Sequence, residues 1–289
     1  MKILIIANPA AGKHTSGDKI QSLSRILTSK GCEVETFITT KPGHARQRLR
    51  HISQNIECVV TVGGDGTLNE VLNGLPDPDR IPICIFPTGT ANVMAKELSL
   101  SDNPSLCAQI ILNKKTRYLD MGLIGTRRFL LFVSVGFDAH VTKEVMYSKS
   151  RLTGYRRYLI PVITTVYRYK APRLSTTIDN KPSITGGFVL VSNTRNYGGI
   201  FTITDKAECD SRYFDMCIVP DGNIPTLIRF FLYALVGKVS KITKISFLTG
   251  KEIEITSSEP VAVQVDGDYF GTTPIRIQLS STQVPVMVP

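Results

Sequence analysis

The stretch that decides the fold is residues 61–75, which read TVGGDGTLNEVLNGL. It continues an apolar run that begins at Cys58 and is typical of a buried strand, and three glycines in four residues then indicate a tight turn. Apolar residues at positions 68, 71, 72 and 75 follow at helical spacing. The segment therefore predicts a strand, a turn and a helix, and the capping-box spacing of Thr67 and Glu70 predicts that the helix begins near Leu68.

Asp65 is the unusual residue of this turn. Glycine backbone N–H groups and the positive end of the next helix attract an anion, so a carboxylate among them would repel a bare phosphate. Asp65 therefore indicates a metal ion or a substrate hydroxyl, unless it only bonds its own backbone in a simple turn. The dinucleotide fingerprint does not fit, because Asn69 stands where it needs glycine.

Two further loops have the same arrangement. Residues 2–7 and 81–86 read as buried strands, and each is followed by small and polar residues. The first loop contains Asn8, Gly12 and Lys13, without the first glycine or the final Ser/Thr of a Walker loop. The second loop contains Thr88, Gly89, Thr90 and Asn92. Because parallel strands carry their ligand sites at the carboxyl edge of a sheet, the three loops predict one binding site.

The two halves of the chain predict different architectures. Strands at 2–7, 34–38, 57–62 and 81–86 alternate with helical patterns at 20–27 and 44–52, which predicts an α/β domain with a parallel sheet. After about residue 118, short alternating strands predict a β-sandwich or barrel. They fall at 129–135, 174–179, 187–192, 216–219, 242–248, 252–256, 261–265 and 275–279, with helices near 155–169 and 225–236. We place the domain boundary near residues 122–128.

Composition limits the classes of protein. In 289 residues, 42% are hydrophobic and 20% charged, which excludes a disordered or fibrous chain. The net charge of +10 indicates an anionic partner. No apolar run reaches the roughly 18–20 residues of a membrane span, and the N-terminal run is too short for a signal peptide. Six cysteines without a C-x-x-C pair predict reduced thiols in a cytoplasmic protein.

One basic segment predicts where an anionic surface would bind. Between positions 143 and 173 only Glu144 opposes eight basic residues, namely Lys143, Lys149, Arg151, Arg156, Arg157, Arg168, Lys170 and Arg173. Apolar side chains lie among them at helical spacing, at positions 152, 155, 159, 162, 163 and 166. The segment would dock on an anionic bilayer or, alternatively, pack its apolar side on the sandwich with its arginines in water. No nucleic-acid reading motif accompanies it.

Together these motifs resemble the diacylglycerol kinase catalytic-domain family, which includes soluble bacterial lipid kinases and sphingosine kinases. The resemblance covers nearly the whole chain in the family's order. It rests on Asn8-Pro-x-x-Gly12, Gly63-Gly-Asp-Gly-Thr67, Asn69-Glu70-Val71, Pro87-x-Gly-Thr-x-Asn92, Tyr118-Leu-Asp-Met-Gly122, Gly136-Phe-Asp-Ala139, Gly198-Gly199, the stretch from Asp210 to Asp215, and Val265-Asp-Gly-Asp268. The Gly-Gly-Asp-Gly-Thr element is shared with NAD kinases and relatives of phosphofructokinase.

The resemblance implies ATP-dependent, magnesium-assisted phosphorylation of a lipid hydroxyl, a step of phospholipid metabolism. It implies a nucleotide-binding α/β domain of the NAD kinase and phosphofructokinase type at 1–124, and a β-sandwich lipid-substrate domain at 125–279. Residues 280–289 would return to the first domain, and the site would lie between the domains. The protein would be cytoplasmic and attached peripherally to the inner face of the membrane.

The resemblance also implies roles for single residues. Asn8, Gly64, Thr67, Thr88 and Thr90 would contact ATP, in loops that also contain Gly66, Gly89 and Asn92. Asp65 would position magnesium or the lipid hydroxyl, and Asp120 would support the metal through water.

Asp268 would be the general base that accepts the hydroxyl proton, although Asp65 remains an alternative. Asp266-Gly267 would by itself form a hairpin turn, which leaves a structural interpretation of Asp268 open. Asp210 and Asp215 resemble a structural metal loop, but Ser211-Arg212 replaces its usual glycine.

The leading prediction is a lipid kinase that acts on diacylglycerol or a similar lipid. NAD kinase is one alternative, but its family expects a second Asn-Glu segment far downstream, and Asn-Glu occurs here only at Asn69-Glu70. A non-catalytic, nucleotide-regulated lipid-binding protein is another. The sequence leaves the acceptor and the oligomeric state open, although an exposed sandwich edge would allow a homodimer.

Overall fold

The predicted alternation of strands and helices is present in the computed structural model, which describes residues 1–11, 16–148 and 154–289. Two of the predicted nucleotide-loop residues, Gly12 and Lys13, lie outside the described residues, as do positions 149–153 of the basic segment. The chain divides into one unit of residues 1–121 with 281–289 and a second unit of residues 122–280. The predicted fold class, an α/β unit and an antiparallel β-sandwich, is confirmed.

The first unit is an α/β structure. Its strands are β1 (Lys2–Ala7), β2 (Glu33–Ile38), β3 (Cys58–Gly63), β4 (Ile83–Pro87) and β5 (Thr116–Ile124). Its helices are α1 (Ser16–Ser29), α2 (His44–Leu49), α3 (Asp65–Gly74), α4 (Val93–Glu97) and α5 (Pro104–Asn113).

The sheet order of the first unit places a switch point beside β1. Strand β1 pairs in parallel with β2 on one side and β3 on the other, and β3 pairs in parallel with β4. Near the C-terminus, Val286 pairs in parallel with Ile83. Strands β1 and β3 are buried along almost their whole length, which explains their continuous apolar sequences. Open α/β sheets commonly bind ligands where the connections diverge, and that position here is at the ends of β1 and β3.

The predicted start of α3 is wrong. The helix begins at Asp65, its N-cap is Gly64, and no side chain caps it. Glu70 instead accepts hydrogen bonds from the backbone N–H groups of Gly43 (2.8 Å) and Ala45 (3.2 Å). The carboxylate therefore caps α2, an earlier helix whose own N-cap residue, Gly43, supplies no side-chain cap. The spacing of Thr67 and Glu70 could not predict this contact, because Glu70 binds N–H groups of α2 that are distant in sequence instead of forming the local capping box.

The second unit is mainly antiparallel. Its strands are β6 (Arg127–Phe129), β7 (Phe132–Val135), β8 (Leu174–Ile178), β9 (Ile184–Gly186), β10 (Phe188–Ser192), β11 (Asn196–Tyr197), β12 (Phe201–Thr202), β13 (Phe214–Val219), β14 (Ser246–Gly250), β15 (Glu252–Ser257), β16 (Ala262–Val265), β17 (Asp268–Thr272) and the first part of β18 (Ile275–Met287), which continues past residue 280 into the first unit. Its helices are α6 (Phe137–Tyr147), α7 (Leu159–Arg168) and α8 (Ile224–Leu235), with 3-10 helices at Gly154–Tyr158 and Val239–Lys241.

Two sheets enclose the core of the second unit. One sheet has the order β14-β13-β10-β7-β16-β17. In the other, β15 pairs with β18 and β8, and β8 pairs with β9. Fully buried side chains from both sheets, including Val133, Val189, Ile253 and Ile277, meet in one apolar cluster. The sandwich was predicted from the alternation of apolar and polar residues along these strands. The alternation arises because one face of each sheet packs against the other sheet.

Several predicted elements of the second unit need correction. The single strand expected at 129–135 is two strands, β6 and β7, and α6 at 137–147 was not predicted. The strand expected at 242–248 is β14 at Ser246–Gly250, and β18 continues well beyond residue 279. The long helix expected near 155–169 is a 3-10 helix followed by α7. No described helix combines the length and apolar character that crossing a bilayer requires.

Candidate functional site

Three loops at the carboxyl ends of β1, β3 and β4 contact each other. We call residues 8–11, 63–67 and 87–92 the strand-end loops. The Asn8 backbone N–H donates to the Val62 carbonyl (2.9 Å), and the Thr88 N–H donates to the Gly63 carbonyl (2.9 Å). Because these bonds join each outer loop to the central one, the three predicted loops form one surface.

Side chains reinforce the same contacts. The Asn8 amide Nδ2 donates to Thr67 Oγ1 at 3.3 Å, and the Thr88 hydroxyl donates to the Ala11 carbonyl at 3.2 Å. The structure thus brings together Asn8, Thr67 and Thr88, which the resemblance assigned to ATP. Gly66 and Thr90 lie on the exposed part of the same loops.

The glycines of these loops let the backbones approach closely. A Cβ atom on Gly89 would lie 2.5 Å from the Gly64 Cα atom, and a Cβ on Gly63 would lie 2.3 Å from Thr67 Oγ1. A larger residue at Gly89 would push two loops apart, and one at Gly63 would displace the Thr67 side chain of the same loop. The resulting surface consists of backbone and short polar side chains, the kind of cradle that binds phosphate groups.

Asp65 fastens two of these loops together. Its two carboxylate oxygens accept the backbone N–H groups of Val93 (3.0 Å) and Met94 (3.3 Å), the first residues of α4. Burial raises the pKa of Asp65, while these hydrogen bonds and the charge of Lys96 oppose that rise. Asp65 therefore bonds the distant backbone of α4 in addition to its own backbone, and its role toward a metal or hydroxyl stays a prediction.

Asn92 leaves one acceptor without a partner at the same surface. The residue adopts a left-handed conformation (φ 48°), and its Nδ2 donates to the Gly89 carbonyl at 2.9 Å. Its Oδ1 atom is buried and has no hydrogen-bond partner. Buried acceptors are usually satisfied, so this oxygen fits a donor group of a bound ligand, such as a ribose hydroxyl.

Asp120 is held by the C-terminal segment. It is fully buried in β5, and its Oδ1 accepts from Gln283 Nε2 at 3.0 Å, which also donates to the Tyr118 carbonyl at 3.1 Å. Within the described ranges, no three His, Cys, Asp or Glu side chains form a cluster that could hold a metal ion. Magnesium needs only one or two carboxylates when phosphate oxygens complete its shell, so an ion that arrives with a nucleotide does not require such a cluster. The metal roles of Asp65 and Asp120 stay predictions.

In the second unit, Asp266 and Gly267 form the tight hairpin turn that the sequence allowed. Both have positive φ (49° and 86°), and Val265 pairs with Asp268 across the turn. The Asp266 carboxylate also accepts three backbone N–H groups, from Leu130 (3.2 Å), Leu131 (3.0 Å) and Phe132 (3.1 Å). No sequence pattern indicated this anchor.

Asp268, the predicted general base, lies beside this anchor at the start of β17. Its side chain is 64% exposed, and its Oδ2 lies 3.5 Å from an Arg127 guanidinium nitrogen. The turn therefore has a structural role through Asp266, and Asp268 remains accessible. Its catalytic role stays a prediction.

Close in sequence to Asp210, the carboxylate of Asp215 has a buried oxygen without a hydrogen-bond partner. Asp215 Oδ2 is buried without a hydrogen-bond partner, and burial, with the negative charges of Asp205 and Glu208, raises the pKa of Asp215 to about 6. Arg212 adopts the left-handed conformation (φ 65°) that a glycine would favour and donates to the Ser280 carbonyl at 3.0 Å. The metal role of Asp210 stays a prediction.

Sequence reasoning missed a buried polar cluster in the second unit. Gln264 Nε2 donates to Ser134 Oγ (2.9 Å) and the Tyr197 hydroxyl (3.2 Å), and both hydroxyls donate to Asp138 Oδ2. Burial raises the pKa of both Asp138 and Tyr197. The cluster joins β7, α6, β11 and β16, and the only signal in the sequence was the motif at residues 136–139.

Comparison with known proteins matches each half of the chain to a family model. The model of the diacylglycerol kinase catalytic domain matches residues 2–124, and that of the YegS C-terminal NAD kinase beta sandwich-like domain matches residues 131–288. The chain thus has the two domains of a lipid kinase, and it belongs to the diacylglycerol kinase family.

Individual relatives match over their whole length. A diacylglycerol kinase of Staphylococcus saprophyticus is 26% identical over 288 residues, covering 99% of this chain and 94% of the relative. A Bacillus subtilis protein with the provisional name lipid kinase YtlR is 29% identical, covering 98% of this chain and 97% of the relative. A crystal structure of a diacylglycerol kinase from Bacillus anthracis covers 100% of this chain and 97% of its own, with a TM-score of 0.78 and 24% identity, which shows a shared fold.

Proposed function

We propose that the protein is an ATP-dependent lipid kinase that transfers the γ-phosphate to a hydroxyl of diacylglycerol or a similar lipid. The observation that carries this proposal is the contact between the three strand-end loops at the switch point of a parallel sheet. Their close-packed glycines and short polar side chains suit a triphosphate, and family membership supports the transfer.

The chain's own residues would bind and orient the nucleotide. Asn8, Thr67, Thr88 and Thr90 supply hydrogen-bonding groups for phosphates or ribose, and Gly64, Gly66 and Gly89 allow close backbone contact. Asn92 Oδ1 accepts a hydrogen bond from the nucleotide. A magnesium ion bound with ATP supplies charge neutralisation at the phosphates, and Asp65 and Asp120 are the carboxylates that would hold it.

Transfer also needs a base for the acceptor hydroxyl. We assign that role to Asp268, whose exposed carboxylate accepts the hydroxyl proton as the lipid oxygen bonds to the γ-phosphorus and the bond to ADP breaks. Asp65 is the alternative base, and exchanging each for asparagine separates the two roles.

A peripheral membrane contact follows from the substrate. The apolar side chains of α7 face solvent instead of packing on the sandwich, with Leu159 and Ile160 each 61% exposed and Ile163 57% exposed. Arg156, Arg157 and Arg168 are exposed on the same segment. This arrangement supports docking of the basic segment on an anionic bilayer at the cytoplasmic face, where the acceptor would enter phospholipid metabolism.

The test is phosphate transfer from labelled ATP with magnesium to three separate acceptors: diacylglycerol micelles, a sphingoid base and NAD. We expect labelled product with a lipid acceptor. Product with NAD alone would replace the lipid kinase by an NAD kinase. Nucleotide binding without transfer to any acceptor would favour a regulatory lipid-binding protein.

A further inference from the structure

The helix α8 presents an apolar stripe to solvent that the proposed nucleotide chemistry does not use. Ile228 (54% exposed), Leu232 (58%), Leu235 (51%) and Val236 (63%) lie at i, i+4, i+7 and i+8, which places them on one side of the helix. Isolated exposed apolar residues are ordinary, but a continuous stripe on one helix indicates a binding surface.

The opposite side of α8 is firmly packed. Leu227, Phe230 and Ala234 are buried, and the Phe230 ring lies 5.6 Å from that of Phe188. The Phe231 ring lies 5.2 Å from that of Phe201. The helix is therefore fixed in this orientation, and its exposed stripe is not a side that could rotate into the core.

The charged residues in the stretch of chain that contains α8 have one sign. Residues 222–249 contain Arg229, Lys238, Lys241 and Lys244 and no acidic residue. All four basic side chains are exposed. An apolar stripe flanked by cations matches the interface of an anionic bilayer, in which the apolar side chains enter the acyl boundary and the cations meet the headgroups.

Helix α8 and the basic segment already described contact the same hairpin. The Tyr155 hydroxyl, in the 3-10 helix before α7, donates to the Gly198 carbonyl at 3.0 Å, and Phe201 contacts α8. Both helical segments therefore contact the β11–β12 hairpin, whose tip residue Ile200 is 49% exposed.

We infer that α8, together with Ile200, is a docking element for an anionic lipid bilayer. The inference rests on the proposed function in one respect, namely that the acceptor is a lipid of that bilayer. It adds a second element to the contact expected at residues 143–173, so that the second unit would meet the bilayer through both helices rather than one.

The chain contains no tryptophan, which allows a single reporter to be introduced. Leu232→Trp would report the environment of α8 when vesicles of phosphatidylglycerol and phosphatidylcholine are added. We expect its emission to shift to shorter wavelength with these vesicles and not with phosphatidylcholine alone. The matched control is Leu106→Trp, at a 47% exposed leucine of α5, whose emission should not change.

A double variant, Leu232→Glu with Val236→Glu, tests the energetic role of the stripe. We expect its affinity for the mixed vesicles, measured by co-sedimentation, to fall at least about tenfold, because two charges would enter the acyl boundary. Leu106→Glu is the matched control and should bind as the wild type does. Thermal unfolding of both variants checks that they fold.

Three results would overturn the inference. They are unchanged emission of the α8 reporter, unchanged vesicle affinity of the double variant, and a wild-type dimer that the double variant dissociates, which would make the stripe a contact between two copies. Transfer by the wild-type protein to a short-chain diacylglycerol dispersed without vesicles tests the proposed function separately. Absence of that transfer counts against the kinase proposal and leaves the vesicle results valid.

Discussion

Each unit contains one Asp-Gly turn with a long-range anchor, Asp65-Gly66 in the first and Asp266-Gly267 in the second, and the fold uses them differently. Asp65 begins a helix and accepts two backbone N–H groups, from Val93 and Met94. Asp266 sits in a left-handed hairpin turn and accepts three. In the second unit the accessible acid is the neighbour, Asp268. If Asp268 is the base that we propose, anchoring and chemistry are divided between two aspartates there, whereas Asp65 would have to do both.

The largest expected effect is on turnover, and it distinguishes Asp268 from Asp266 in the second turn. Asp268→Asn should lower turnover by about a hundredfold to ten-thousandfold, the usual contribution of a general base, with an unchanged free energy of unfolding. Initial rates and urea unfolding measure the two quantities. Asp221→Asn, at an exposed aspartate of the same unit, is the control. Turnover near the wild-type value would transfer the role of base to Asp65.

In contrast to Asp268→Asn, Asp266→Ala should lower mainly the stability of the protein. It would leave three backbone N–H groups without their acceptor in a buried region, which costs about 3 kcal/mol of unfolding free energy. Urea unfolding of this variant and of Asp268→Ala gives the comparison. Equal losses in the two variants would show that the anchor is not confined to Asp266.

Asp65→Asn should lower both the turnover and the free energy of unfolding. We expect turnover to fall at least about a hundredfold. Stability should fall by only about 1 kcal/mol, because the amide keeps one of the two acceptors for α4. Glu70→Gln is the matched control, since Glu70 also caps a helix from the same stretch, and its turnover should stay close to wild type. A similar loss of turnover in both would reduce Asp65 to a capping residue.

The smallest expected effect depends on pH and concerns Asp215. The pKa of Asp215 is raised to about 6 in the folded protein. The free energy of unfolding therefore falls as the pH rises above the ordinary aspartate pKa near 4, and it stops falling above about pH 6. Asp215→Asn should therefore stabilise the protein at pH 8 by about 1 kcal/mol after solvent screening, and hardly at pH 4. Urea unfolding at both values checks this, and equal gains would contradict it.

Local patterns predicted the elements that depend on neighbouring residues. The buried strands β1, β3 and β4 were recognisable because a strand covered on both faces is apolar throughout. The glycine-rich turns followed from the sequence because tight turns need glycine. Family motifs also named the residues of the strand-end loops.

Contacts between segments that are distant in sequence could not be predicted from local patterns. Glu70 caps α2 rather than its own helix, and Asp266 anchors residues 130–132, because each carboxylate binds N–H groups that only the fold brings near. The exposure of α7 and α8 was equally hidden, since an apolar helical face has the same spacing whether it packs on a sheet or faces solvent.

The sequence by itself determined the two architectures, the three loops and the family, since strand and helix periodicity and the steric demands of glycine are local properties of the chain. The tertiary structure decided which N–H groups each aspartate satisfies and which apolar faces stay uncovered. Those outcomes depend on which distant segments meet when the chain folds, and a buried hydrogen bond or apolar contact is formed with whatever group the packing brings within reach.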